Sequence, residues 1–201
     1  MKKQIIIGVS ILVGICFQNS FADSHAHHHG ASTEAKEVRV LSNDSVYNLD
    51  STFLNQDGKS VKLESFRGKP LVISMAYTGC VYTCPLILSQ MQQLEKSLQE
   101  QGRSDVQFVL VSFDYHRDTP KVLKEYFQKR NLGGKWTLLT AASDKEPRAI
   151  SNLLGIKYKK MEGGDYDHSF IITVLDSEGV IKGNQVGASN DPKKLMDLMP
   201  K

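Results

Sequence analysis

Leu71-Val-Ile-Ser-Met-Ala-Tyr77 runs through Thr78-Gly79 into Cys80-Val-Tyr-Thr-Cys84-Pro85, and Leu86-Ile-Leu-Ser-Gln-Met-Gln-Gln-Leu-Glu-Lys96 follows directly. The first segment is short and almost wholly apolar, the pattern of a buried strand. The last has the 3.6-residue period of an amphipathic helix. Pro85 suits the first helical position, where a missing N–H leaves no bond unmade. A strand passing into a helix through a short loop is the repeating unit of an α/β sheet. Here that loop carries two thiols, and the reading places Cys84 near the helix N-cap, where the dipole favours a thiolate. Two such thiols suit soft-metal or redox chemistry.

Outward from this unit the chain keeps the same alternation. Val106-Gln-Phe-Val-Leu-Val-Ser-Phe113 reads as a second buried strand, and Thr119-Pro120 opens a helix running to Lys129. Trp136–Leu139 is a short strand, and Asp144–Leu154 a helix ended by Gly155. Ser169–Leu175 and Val180–Gln185 flank the turn Asp176-Ser-Glu-Gly179 as an antiparallel hairpin, and Asp191-Pro192 opens a last helix. Before the core strand, Phe53–Leu63 reads as a hairpin around Asp57-Gly58. The expected fold is α/β, a mixed sheet with helices on both faces and an N-terminal β-hairpin extension. The Cys80 loop then lies at the carboxyl end of a central strand, where open α/β sheets place their sites.

The chain has 201 residues, enough for one domain with a substantial core, and is 40% hydrophobic and 23% charged. Of its formal net charge of +3, Lys2 and Lys3 supply two units. No basic stripe with interleaved aromatic residues is present, so nucleic-acid binding has no support. Lys2-Lys3, the apolar run Ile5–Phe17 and the small-x-small Ser20-Phe21-Ala22 have the form of an export signal over residues 1–22. As a helix, Ile5–Phe17 spans roughly 20 Å against a ~30 Å hydrocarbon core. A cleaved signal and a periplasmic domain over residues 38–201 are expected, with an uncleaved tether to the inner membrane as the alternative. Cys16 falls inside the signal, and Cys80 and Cys84 remain as an even pair in a disulfide-permissive compartment.

Three blocks together resemble a known family. Thr78-Gly-Cys80-Val-Tyr-Thr-Cys84-Pro85, then Ser112-Phe-Asp114-Tyr-His-Arg117-Asp118-Thr119-Pro120, then Asp167-His168-Ser169 are similar to the signature blocks of the SCO/SenC proteins. The likeness runs from Leu49 to Met199. It implies a thioredoxin-like fold and a copper metallochaperone serving assembly of cytochrome c oxidase. Its partner would be the oxidase's apo copper-bearing subunit or another periplasmic copper protein. It also implies a ligand set, which falls on Cys80, Cys84 and His168. Val81 stands where many members have Pro, and Asp114-Tyr115-His116 replaces the usual Asp-Pro; neither change removes a ligand.

The implied set makes chemical sense. Thiolates select Cu(I), and imidazole tolerates both copper oxidation states. Cys₂His is also a zinc set. A thiol–disulfide oxidoreductase that reduces an apo copper protein, drawing on a thiol reductant, would need both Cys but not His168. A peroxidase would want a supporting Arg around a Thr-x-x-Cys, and Thr83 and Arg117 do not supply that spacing. A structural disulfide closing so short a loop would stabilise little. His116 reads as a surface residue or one that supports the ligands from behind, Asp118 as the cap of the Thr119-Pro120 helix, and Asp114 as structural, with Arg117 pairing nearby. Trp136 and Phe170 read as core. Residues 23–37 read as a flexible tail, with His25, His27, His28 and His29 either a secondary metal site or a solvated histidine tract of weak general metal affinity. Cleavage after Ala22 would leave Asp23-Ser24-His25 as a square-planar chelate for Cu(II) or Ni(II).

Overall fold

A computed structural model describes residues 41–200. The export signal, Cys16 and the histidine tail, with His25, His27, His28 and His29, lie outside the described residues.

The sheet has seven strands in the order β2-β1-β5-β4-β3-β8-β9. They are β1 (Thr52–Asn55), β2 (Ser60–Lys62), β3 (Leu71–Ala76), β4 (Gln107–Ser112), β5 (Trp136–Thr140), β8 (Ile171–Leu175) and β9 (Ile181–Val186). Strands β3, β4 and β5 are parallel, while β1 and β8 join from opposite sides as antiparallel neighbours. Helices α1 (Thr83–Glu100), α2 (Pro120–Lys129), α3 (Lys145–Leu154) and α4 (Lys193–Leu198) cover it. A separate two-stranded sheet pairs β6 (Tyr158–Lys160) with β7 (Tyr166–His168).

Period-two alternation along the central strands divides the core. Val72, Phe108 and Leu110 pack with Ile87, Met91, Leu94, Leu123 and Leu195, so α1, α2 and α4 share one face. Ile73, Met75, Val109, Val111 and Phe113 face the other way, against Ile150 and Leu154 of α3 and Phe53 of the hairpin. Helices therefore lie on both faces, and the arrangement is a thioredoxin-like α/β fold. Trp136 is core, stacked on Phe108, and Phe170 is half-buried at the margin.

Strand direction brings three distant segments to one end. Ala76 of β3 pairs with Ser112 of parallel β4, so both chains leave the sheet together, into the Cys loop and the 113–119 loop. Antiparallel β8 pairs Ile172 with Ser74, so the residues preceding it lie beyond the same end of β3. His168 is among them.

Two boundaries differ from the sequence reading. Helix α1 starts at Thr83, so Pro85 is not at its first position; its missing N–H is still one of the four orphans of a helix start. Helix α2 is capped by Thr119, whose Oγ1 accepts the Val122 N–H at 3.4 Å, and not by Asp118. Asp118 is turned inward to another task.

Candidate metal centre

Cys80, Cys84 and His168 come together at the carboxyl end of β3, with their ligand atoms all within 4.8 Å of one another. Cys84 Sγ lies 3.2 Å from His168 Nε2. His168 Nδ1 lies 3.1 Å from the Ser169 carbonyl oxygen. A carbonyl only accepts, so Nδ1 carries the proton and Nε2 presents its lone pair to the sulfurs. This is the usual way a second partner fixes the tautomer of a metal-binding histidine.

The two thiols are not equivalent. Cys80 is half-buried and Cys84 is buried. Burial disfavours a Cys80 thiolate, but the backbone N–H groups of Cys84, Tyr82 and Thr83 and the Cys84 thiol outweigh it and hold its pKa below the ordinary thiol value. The Cys84 N–H points at Cys80 Sγ at 3.4 Å. Cys80 thus occupies the acceptor position at the start of α1, where Tyr82 supplies no side-chain cap. Burial pushes the Cys84 thiol well above its usual value, with the Tyr77 N–H opposing it and Cys80 and Asp118 adding to it. The expectation that the helix favours the Cys84 thiolate is therefore corrected. Because α1 begins before Cys84, the N-terminal donors serve Cys80.

Asp118, 1% exposed, braces the loop from below. Its carboxylate accepts the Thr78 N–H at 3.0 Å, the Thr78 hydroxyl at 2.5 Å and the Ser112 hydroxyl at 2.6 Å. Thr78 is where β3 gives way to the Cys loop, so Asp118 ties that departure to the end of β4. Asp114 is equally buried and pairs with Arg117, as the sequence suggested. His116 is exposed, packed against Tyr115, and is not part of the ligand group.

An aromatic wall that the sequence reading did not assign to the site backs the histidine. The Phe113 ring lies 5.1 Å from that of His168 and 4.8 Å from that of Tyr158, with Tyr77 and Tyr166 closing the cluster. Burial raises the Tyr77 phenol to about 12, so it stays neutral beside the sulfurs. The signal for this wall was present. Tyr158 and Tyr166-x-His168 flank a Gly163-Gly164 turn with the period of a hairpin.

The described donor set is soft, compact and backed by protein on the Cys84 side. It fits a thiophilic ion better than a hard one. Comparison with known proteins agrees with the site. The SCO1/SenC family model matches residues 42–199. The chain belongs to the SCO1/SenC family. A SCO1 protein homolog of Bacillus subtilis is 32% identical over 145 residues, which make up 70% of this chain and 74% of that protein. Among solved SCO1/SenC structures, BsSco is 30% identical with a TM-score of 0.64, covering 74% of this chain and 88% of that one. It is described as having a disulfide switch and as a member of the Sco family of cytochrome c oxidase assembly proteins. Arabidopsis thaliana ScoI, solved with copper bound, is 26% identical with a TM-score of 0.63, covering 73% of this chain and 90% of that one.

Proposed function

We propose that this protein is a copper metallochaperone, holding one copper ion between Cys80, Cys84 and His168 and passing it to a copper-bearing subunit of cytochrome c oxidase. The carrying observation is the approach of Cys84 Sγ to His168 Nε2 at 3.2 Å with the Cys80 sulfur in the same cluster. Two thiolates and an imidazole suit three-coordinate Cu(I), and a fourth position suits Cu(II). Cys84 is buried, whereas Cys80 is half-buried and flanked by Val81 and Tyr82, 73% and 80% exposed. An acceptor's ligand therefore reaches the ion from the Cys80 side. The copper-bound relative and the oxidase-assembly relative support this reading. The export signal read from residues 1–22 supports a periplasmic setting, where copper proteins and disulfides both occur.

A second reading, a thiol–disulfide oxidoreductase, has its own observation. A half-buried Cys80 with a stabilised thiolate in front of a buried Cys84 is the arrangement of an attacking and a resolving thiol. Cys80 would attack a disulfide of the apo copper protein, and Cys84 would release the target as a dithiol. The chain would end as a disulfide, to be restored by a thiol reductant. His168 has no part in these steps. Anaerobic Cu(I) titration of the wild type and of Cys80→Ala, Cys84→Ala and His168→Ala, followed by transfer to an apo oxidase fragment, separates the two. The chaperone reading expects all three substitutions to weaken copper binding. It fails if the wild type binds no copper yet exchanges disulfides with and without His168.

A further inference from the structure

His168 is carried on a small sheet of its own, β6 and β7, whose register is Tyr158↔His168, Lys159↔Asp167 and Lys160↔Tyr166. An isolated two-stranded hairpin is marginal in water, so its placement must come from what it docks against. At the end bearing His168, Tyr158 stacks on Phe113 and its hydroxyl donates to Asp144 at 2.9 Å. At the turn end the hold is shared by Tyr77, whose hydroxyl donates to Asp165 Oδ1 and accepts the Tyr166 N–H, each at 3.4 Å, and by the guanidinium of Arg117. Its Nη2 donates to the Gly164 carbonyl at 2.9 Å, and its Nε bonds Asp114, whose other oxygen receives the Tyr166 hydroxyl at 3.4 Å. The guanidinium lies 5.4 Å from the centre of the Tyr77 ring and 6.0 Å from that of Tyr166. Gly164 has φ +84°, a conformation that glycine adopts without strain, so the turn can present its carbonyl to the fork.

Tyr166 and His168 are two residues apart in a strand and share its inner face, while Asp167 between them is exposed. Both rings lie 5.1 Å from Phe113. Both rings sit on one strand, so a tilt of the hairpin away from Phe113 displaces both, Tyr166 at the turn end by more than His168 opposite Tyr158.

We propose that Arg117 is a positioning residue for His168: by clamping Gly164 and Tyr166 from the 113–119 loop, it sets the hairpin so that Nε2 faces the Cys84 sulfur. Its role as an aid to copper binding rests on the proposed function; its hold on the imidazole does not. A lysine keeps the charge but lacks the planar fork that reaches Asp114 and Gly164 at once.

The test has a copper-free arm and a copper arm. In the reduced apo protein, the long-range ¹H–¹⁵N spectrum of the His168 ring is compared between wild type, Arg117→Met and Arg117→Lys. The clamp requires the ring resonances to shift or broaden in both variants, with faster amide exchange along 158–168; unchanged resonances overturn it. In the second arm Cu(I) affinity is measured for wild type, Arg117→Met, His168→Ala and the double variant. Arg117→Met is expected to weaken binding about tenfold, in the range of outer-shell substitutions, and to add nothing once His168 is gone. A loss that persists in the His168→Ala background overturns the proposal. If Arg117→Met does not fold, Arg117→Lys and Tyr166→Leu carry both arms. If the wild type binds no copper, the metallochaperone reading falls and the ring spectrum still decides the clamp.

Discussion

Cys80 Sγ accepts the backbone N–H of Cys84 at 3.4 Å, one of several helix-start donors around it, while the sulfur of Cys84 itself is buried, so the two thiols lie in opposite surroundings. The first sits among helix-start donors with a face to solvent; the second is sealed behind it. Alkylation of the reduced, metal-free protein is therefore expected to modify Cys80 about tenfold or more faster than Cys84 at pH 7. Mass spectrometry of partially labelled peptides reads this directly. Equal rates, or Cys84 first, would show that the donors do not govern thiol reactivity.

The same asymmetry has a sign in stability. The Cys80 pKa is lowered in the folded protein, so its contribution is fully present above the unfolded thiol value of about 8.5 and is lost as pH falls through the folded value. The Cys84 pKa is raised, so above about 8.5 the unfolded chain ionises while the folded one does not, and stability falls. Between pH 8.5 and 10, by rough model-thiol and phenol limits, Cys84 is the thiol that makes stability decline. The Tm of the reduced apo protein is expected to drop across that window and to drop less in Cys84→Ser. Parallel declines in the two proteins would contradict the assignment.

Closure of the pair to a disulfide should compete with the metal. The sulfurs share a cluster 4.8 Å or less across, against about 2.05 Å for an S–S bond, and the intervening Val81 and Tyr82 are exposed and can give way. Diamide is expected to produce an intramolecular disulfide that abolishes Cu(I) binding, and dithiothreitol to restore it. Retention of copper by the fully oxidised protein would remove the thiolates from the ligand set.

Much of this was legible in the sequence for specific reasons. The strand Leu71–Ala76 and helix α1 each bury a patterned face, and those faces announce themselves as an apolar run and a 3.6-residue period. The Cys pair was visible because thiols are few and closely spaced. The ownership of the helix N-terminus was not, because it depends on where α1 starts, and a sulfur four residues back supplied an acceptor that no capping rule anticipates. Asp118 was misassigned for a related reason. Thr119 beside it caps α2 equally well, and only the pairing of Ala76 with Ser112 shows that Thr78 needs a buried acceptor. The β6–β7 hairpin escaped notice because each strand has only three residues.

Asp118 offers a stability test. Replacing it with alanine leaves the Thr78 N–H and two hydroxyls without their acceptor at a buried position. Asp118→Ala is expected to lose about 2–4 kcal/mol, from one buried unpaired N–H and the lost charge-assisted bonds. Asp118→Asn keeps an acceptor oxygen and should recover part of that. Denaturant titrations of the two variants would decide it. A loss under about 0.5 kcal/mol for alanine, the range of ordinary surface changes, would mean the brace is dispensable.

Phe113 separates packing at the site from packing in general. It is 1% exposed and its ring meets those of Tyr77, Tyr158, Tyr166 and His168 at 5.4, 4.8, 5.1 and 5.1 Å. Phe108 is also 1% exposed and stacks on Trp136 at 4.9 Å, but it belongs to the opposite face of the sheet. Leucine at either position removes an aromatic contact and some volume, and each change is expected to cost about 1–3 kcal/mol. Only Phe113→Leu takes away the surface on which the His168 hairpin rests. Its Cu(I) affinity should therefore fall about tenfold, while Phe108→Leu, equally destabilised, keeps wild-type affinity. Chemical denaturation and chelator competition on the same preparations give both quantities. Equal affinities in the two variants would show that the aromatic wall stabilises the fold without placing the histidine.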